Sequence, residues 1–138
     1  IRPGTNIYND ANMMSGGYCG VDECAVQIEC TVVSNAVPGK VVLDAGSKTL
    51  TMDRRMISPE TAGFGYVVEY PQAKIVRLSE EHGEVDLSQC DRAPKLGERV
   101  HVIPNHICPC INLHDRVYLR LPDGELETMP IDARGKIT

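Results

Sequence analysis

The sequence has no tryptophan, a single phenylalanine and only 4% aromatic residues among 138. Its core must therefore be built mostly from Val, Ile, Leu and Met. No cluster of lysine and arginine is present and the formal net charge is −5, so a nucleic-acid-binding surface is not expected. Uncharged apolar runs are far shorter than the ~20 residues that cross a bilayer, and no signal peptide is visible. We therefore expect no nucleic-acid or membrane partner and a cytoplasmic location.

The six cysteines include no pair with Cys-x-x-Cys spacing, which argues against a zinc ribbon or a thioredoxin-like redox site. A chain of this length does not need disulfides for its stability, and its composition is typical of a reducing compartment. Cys24 and Cys30 are predicted to lie on one face of a long strand, as small buried hydrophobic residues.

At 138 residues the chain fits a single domain. Its hydrophobic pattern is almost entirely that of short strands separated by turns, and hairpins are predicted across the turns at 70–73 and 122–124. The only helix signal is a Ser cap followed by Pro at 58–61. We predict an all-β fold, an antiparallel barrel or sandwich-like domain with little helix. The predicted strands are 24–34, 40–44, 64–69, 74–78, 84–87, 100–103, 116–121 and 125–131.

Residues 10–23 interrupt this pattern. They have no hydrophobic period and contain three glycines, so we predict a mobile loop there.

The segment 104–110 reads Pro-Asn-His-Ile-Cys-Pro-Cys and follows the last buried strand of the predicted barrel. On an extended chain His106 and Cys108 point to the same side, about 6–7 Å apart along the backbone. The flanking prolines stiffen the segment and stop sheet pairing. A nitrogen and a sulfur ligand held in this way could bind a metal ion that keeps open positions for substrate. From spacing alone, a buried His and Cys in a loop explain the segment equally well.

Five short motifs together resemble the C-terminal domain of the D-threonine aldolase and D-serine dehydratase family, which are pyridoxal-phosphate enzymes of the alanine-racemase-like fold. The motifs occur in the family's order, at 2–10, 43–48, 78–83, 104–109 and 131–135. The resemblance implies an N-terminal (β/α)₈ barrel that carries the cofactor on a lysine, a homodimer, and an active site between barrel and β domain. The chain lacks an initiator Met, and we expect it to be a C-terminal fragment of such a two-domain enzyme, without the barrel.

The resemblance also implies a divalent metal and places the two protein ligands at His106 and Cys108. A soft thiolate beside an imidazole favours Zn²⁺ over Mn²⁺. Cys110 is not expected to be a third ligand, because Pro109 interrupts the strand geometry. The implied reaction is retro-aldol cleavage, or dehydration with deamination, of small β-hydroxy-D-amino acids such as D-threonine or D-serine. The domain is not expected to be active alone.

Several residues keep two interpretations. Glu81 and His82 could lie behind the metal ligands in the active site, or form a polar strand end before a glycine turn. Lys48 is interpreted as a surface or interface lysine rather than the cofactor lysine, and Asp44 and Asp53 as turn carboxylates that could contact a barrel. For the whole chain, the alternatives to a lyase domain are a stand-alone β-barrel binding or interaction module and an amino-acid racemase domain.

Overall fold

The computed structural model describes residues 4–55 and 63–136. Within them lie eight strands and three short α-helices. In chain order the strands are β1 (Ile28–Ser34), β2 (Lys40–Leu43), β3 (Tyr66–Val67), β4 (Lys74–Leu78), β5 (Gly83–Asp86), β6 (Arg99–Ile103), β7 (Arg116–Arg120) and β8 (Leu126–Pro130), and the helices are α1 (Ala11–Ser15), α2 (Ser47–Leu50) and α3 (Ile107–Asn112).

Six of the strands form one antiparallel sheet in the order β3-β6-β1-β2-β5-β4. The two outer strands approach each other, because the Phe64 amide donates a hydrogen bond to the Ile75 carbonyl at 3.1 Å. This contact nearly closes the sheet into a barrel. The prediction of an all-β antiparallel domain with little helix is confirmed, in its barrel form.

The core lies inside this barrel and follows the period of two that strands impose. In β5 and β6 buried residues alternate with more exposed ones, as at Val85 and Val100. Ile75 on β4 is fully buried, and Phe64 is also in the core. Val, Ile and Leu form the core as predicted, but the four methionines in the described part of the chain all lie outside it.

Two strand predictions are wrong in their detail. The first strand begins at Ile28 rather than Cys24, because a 3₁₀ turn at Val21–Glu23 precedes it. Cys24 and Cys30 are nevertheless both buried, as expected. The hairpin across 70–73 does not form: its turn is present, but β3 pairs with β6 instead of β4. β3 ends after two residues at a turn in which the Tyr70 amide donates a hydrogen bond to the Val67 carbonyl at 3.3 Å, so the segment does not continue beside β4.

The helix predictions were also incomplete. The signal at 58–61 lies outside the described residues, whereas α1, α2 and α3 were not predicted. Residues 10–23, expected to be a mobile loop, contain α1 and the 3₁₀ turn. The Asp10 side chain caps α1 by accepting a hydrogen bond from the Met13 amide at 3.0 Å. Ala11, Cys24 and Ile103 then form a small second core between this segment and β6.

Helix α2 begins directly after Gly46, a position at which the packing leaves room only for glycine. A Cβ at Gly46 would overlap the backbone at Glu80. The close approach lets the Ser47 and Lys48 amides donate hydrogen bonds to the Ser79 and Glu80 carbonyls, at 2.8 and 3.1 Å. Residues 43–48 and 78–83, two of the motifs recognised in the sequence, are therefore packed together.

Strands β7 and β8 form the predicted second hairpin, in a two-stranded sheet of their own. Gly124 has a φ of 87°, which suits the turn after Pro122 and Asp123. The hairpin exposes several large apolar side chains: Tyr118, Leu119, Leu126 and Met129.

Replacing Ile75 with alanine should lower the free energy of unfolding by about 2–5 kcal/mol, because the substitution leaves a cavity where the sheet closes. Val76→Ala is the matched control: this neighbouring side chain is 40% exposed, and a change within about 0.5 kcal/mol is expected. Urea unfolding of both variants measures the difference. Equal losses at the two positions would contradict the barrel core described above.

Candidate metal centre

The segment with His106 and Cys108 begins where β6 ends, and the N-terminal part of the chain holds it in place. The Ala11 and Asn12 amides donate hydrogen bonds to the Pro104 and Asn105 carbonyls, at 3.0 and 3.3 Å. Residues 104 and 105 thus have their backbone carbonyls paired although they lie outside the sheet.

Asp10 connects the two segments most directly. Its carboxylate is only 1% exposed, and each oxygen accepts one backbone amide. Oδ1 accepts from Met13 at the start of α1, and Oδ2 accepts from Ile107 at the start of α3, at 3.1 Å. One side chain therefore caps two helices that are far apart in sequence.

Helix α3 overturns the geometric argument made from the sequence. His106 is the extended residue before the helix, with φ −136° and ψ 106°, and Cys108 lies in the first helical turn. The two residues do not share a strand, so alternation along an extended chain does not explain their relation. Pro109 was interpreted as a strand breaker, but proline is equally suited to the first turn of a helix.

The His106 ring is positioned by Asp53. Its Nδ1 lies 3.2 Å from Asp53 Oδ2, and both side chains are about half exposed, at 44% and 46%. A carboxylate on Nδ1 favours the tautomer with a proton there and leaves Nε2 free to bind a metal. A histidine whose ring is oriented in this way can serve as a metal ligand.

The Cys108 thiol is exposed, and the start of the described chain lies beside it. Thr5 Oγ1 is 3.4 Å from Cys108 Sγ, and a side chain on Gly4 would reach within 3.7 Å of the same sulfur. An accessible sulfur with a hydroxyl neighbour is available to a metal ion in a way that a core cysteine is not.

Cys110, by contrast, is not available. It is fully buried, and its thiol donates a hydrogen bond to the Thr49 carbonyl at 3.1 Å. Burial raises the pKa of the Cys110 thiol to about 12, so it stays protonated, and thiols bind metals as thiolates. The structure therefore agrees with leaving Cys110 out of the ligand set.

Asn105 completes the frame and was missed in the sequence. Its side chain is fully buried, and Nδ2 donates hydrogen bonds to the carbonyls of Asp53 and Gly63, at 2.9 and 2.5 Å. Asn105 thereby fixes the backbone that carries Asp53 next to His106. Its Oδ1 atom has no hydrogen-bond partner within the described ranges of the chain.

The other candidate residues lie elsewhere. Glu81 pairs with Lys48 at 2.6 Å on an exposed surface, and His82 is exposed nearby. Among the described residues no hydrogen bond or ion pair joins Glu81 or His82 to His106 or Cys108. Asp44 accepts a hydrogen bond from the Thr31 amide at 2.6 Å, as a turn carboxylate does.

Nowhere in residues 4–55 and 63–136 do three or more His, Cys, Asp or Glu side chains converge as a metal-binding group. A metal held by His106 and Cys108 alone would keep most of its coordination positions open, as catalytic zinc sites keep at least one, whereas structural zinc sites are closed. Separately, none of the helices in the described part of the chain has the length and apolar character of a transmembrane span.

The sequence profile of the family described as "Putative serine dehydratase domain" matches residues 25–120, which include β1 to β7 and Asp53, Asn105, His106 and Cys108 of this site. The chain belongs to this family. The resemblance found in the motifs is thereby confirmed.

Relatives of this family member fall into two groups by length. An uncharacterized protein of Mycobacterium tuberculosis is 36% identical over 135 residues, which is 94% of this chain and 98% of that protein. The 3-hydroxy-D-aspartate aldolase of Paracoccus denitrificans is 33% identical over 115 residues, 83% of this chain but 27% of the aldolase. Against such enzymes the chain spans about a third of their length or less.

Solved structures of an aldolase and of a dehydratase also resemble this chain. D-threonine aldolase from Filomicrobium marinum superposes with a TM-score of 0.79 at 29% identity, over 99% of this chain and 36% of the aldolase. D-threo-3-hydroxyaspartate dehydratase from Delftia sp. HT23 gives 0.79 at 24% identity, over 92% and 37%. Further structures of that dehydratase carry alanine in place of a histidine and, in a metal-free form, in place of a cysteine two positions later.

Replacing Asp10 with alanine should lower the free energy of unfolding by about 2–4 kcal/mol, because two helix amides lose their acceptor in a buried place. Asp22→Ala, at an exposed position of the 3₁₀ turn, should change it by less than about 0.5 kcal/mol. Urea unfolding compares the two variants. If Asp10→Ala proves as stable as Asp22→Ala, Asp10 does not join the segments as described.

Proposed function

We propose that this chain is the metal-binding domain of a pyridoxal-phosphate-dependent lyase that acts on β-hydroxy-D-amino acids, by retro-aldol cleavage or by dehydration. The observation that carries the proposal is the pair His106 and Cys108, one with its ring oriented by Asp53 and the other with an accessible sulfur. The family supports it, because relatives of known activity carry the names of D-amino-acid aldolases and dehydratases.

In the proposed site His106 Nε2 and Cys108 Sγ are the two protein ligands. The spacing agrees with the dehydratase variants, whose histidine and cysteine are also two residues apart. One sulfur and one imidazole favour Zn²⁺, with Mn²⁺ as the second choice. Such a metal supplies Lewis-acid chemistry at the substrate's β-hydroxyl oxygen, and pyridoxal phosphate supplies an electron sink for the bond cleavage.

The chain's own residues then have distinct tasks. Asp53 keeps the proton on His106 Nδ1, so that Nε2 stays a ligand. Asp10 accepts a hydrogen bond from the Ile107 amide and so fixes the start of α3. Asn105 donates a hydrogen bond to the Asp53 carbonyl and so fixes Asp53 beside His106. The Thr5 hydroxyl lies beside the sulfur and limits the positions that Cys108 can adopt.

The remaining parts of the enzyme are also proposals. They are an N-terminal barrel that brings the cofactor lysine, a homodimer, and a cytoplasmic location. The last agrees with six free cysteines, of which Cys24, Cys30 and Cys110 are buried. The chain, 1–138, would be a single β domain without turnover of its own, because neither a cofactor lysine nor a phosphate-binding loop is recognised in it.

Zinc content tests the ligand assignment. The parent chain should bind about one Zn²⁺ weakly, since two protein ligands leave the other positions to water. His106→Ala and Cys108→Ser should abolish this binding, and Asp53→Ala should weaken it by about 10- to 100-fold. Cys90→Ser, at a half-buried thiol in another part of the barrel, is the matched control and should bind like the parent.

The measurement is a zinc titration followed by metal analysis of the desalted protein. Unchanged zinc in the His106 and Cys108 variants, or an equal loss in Cys90→Ser, would overturn the assignment.

A further inference from the structure

One cation of the domain, two residues after Asp53, has no counter-ion among the residues that the structure describes. Arg55 is half-buried, and its Nε atom is buried with no hydrogen-bond partner among these residues. One terminal nitrogen reaches the Gly65 carbonyl at 3.4 Å, which is long for a hydrogen bond. Burial lowers the pKa of the guanidinium from its ordinary value, but arginine remains charged in proteins.

No carboxylate in the described part of the chain pairs with Arg55. The ion pairs found there, such as Arg99 with Glu29 and Arg134 with Asp115, lie on exposed surfaces. Arg55 lies over the Tyr66 ring at 5.9 Å, which positions its plane without neutralising it. A partly desolvated cation without a partner carries a free-energy cost that an anionic ligand would offset.

The position of Arg55 relates it to the candidate metal centre. It follows Asp53, the partner of His106, by two residues. Its amide donates a hydrogen bond to the Gly63 carbonyl at 3.2 Å, and the same carbonyl accepts from Asn105 Nδ2. Asn105 directly precedes His106, so Arg55 and the candidate ligand are built on one hydrogen-bonded frame.

The charges around the site explain what Arg55 would add. The Asp53 carboxylate and a Cys108 thiolate together carry two negative charges, which balance a divalent cation. A substrate with a second carboxylate therefore gains no net attraction from the metal and its two anionic neighbours. A guanidinium provides this attraction, and its planar N–H donors form two parallel hydrogen bonds with a carboxylate.

We propose that Arg55 binds the side-chain carboxylate of the substrate, so that this site prefers dicarboxylic β-hydroxy-D-amino acids to D-serine and D-threonine. This inference rests on the proposed function for the identity of the substrate, whereas the anion site itself does not require a metal. Both classes of substrate occur among the relatives' names, so family membership alone does not choose between them.

Equilibrium binding to unreactive probes tests the site without turnover. meso-Tartrate, a hydroxylated dicarboxylate, is titrated against D-lactate, a hydroxylated monocarboxylate, at equal ionic strength, with calorimetry or NMR shifts as the readout. The parent should bind tartrate more tightly than lactate. Arg55→Met should raise the Kd for tartrate about 10- to 100-fold and leave that for lactate nearly unchanged.

Arg54→Met is the matched control, because this neighbouring arginine is exposed and lies over Phe64 instead; its tartrate affinity should equal that of the parent. If Arg55→Met does not fold, Arg55→Lys replaces it, since lysine keeps the charge but loses the paired hydrogen bonds and should give an intermediate Kd. A parent that binds tartrate no better than lactate overturns the inference, and so does an equal loss in Arg54→Met.

The zinc titration separates this result from the proposed function. Zinc binding that depends on His106, together with no preference for tartrate, leaves the lyase proposal standing and removes the Arg55 site. Tartrate binding that depends on Arg55, in a chain that binds no zinc, leaves the Arg55 anion site standing and removes the lyase proposal.

Discussion

The carboxylate of Asp10 is the interaction on which the candidate site depends. A buried carboxylate is costly unless its oxygens are hydrogen-bonded, and here each oxygen accepts a hydrogen bond from an amide in the first turn of a different helix. Helices of five or six residues are too short to be stable by themselves. Their caps and the small core of Ala11, Cys24 and Ile103 therefore decide whether the segment around His106 has a fixed shape.

The barrel supplies a rigid base for this arrangement, and the site lies at its rim. β6 pairs with a strand on each side, and its last residues are fully buried, so the chain leaves the barrel at a fixed position before Pro104. The residues of the candidate site come from three separate places in the sequence: the N-terminal turn, the stretch after α2, and the start of α3. They come together in the structure, because Asp53 contacts His106 and Thr5 contacts Cys108.

Local patterns in the sequence predicted the elements that local forces determine. The Pro-Asp-Gly turn predicted β7 and β8, and the short apolar stretches around Val41 and Val85 predicted β2 and β5. Contacts over long sequence separations were not predictable in this way. The partner of Asp10 is 97 positions away, β3 pairs with β6 rather than with its neighbour, and Asn105 has no sequence signal that marks it as a buried hub.

The site residues show the same division. The resemblance to a known family predicted His106 and Cys108 as ligands. The spacing argument for the same two residues assumed an extended strand, whereas the structure has a helix there. Asp53 was considered only as a turn carboxylate, and its contact with His106 required the fold. Asp is a common N-cap residue, so Asp10 could have been predicted from the sequence as the cap of α1. Its second hydrogen bond, from the Ile107 amide of α3, could not.

The β7–β8 hairpin lies outside the hydrogen-bond network of the barrel. Its ladder joins the two strands only to each other. A change in the length of the hairpin, or in its exposed apolar residues, therefore leaves the ladder of the six-stranded sheet intact.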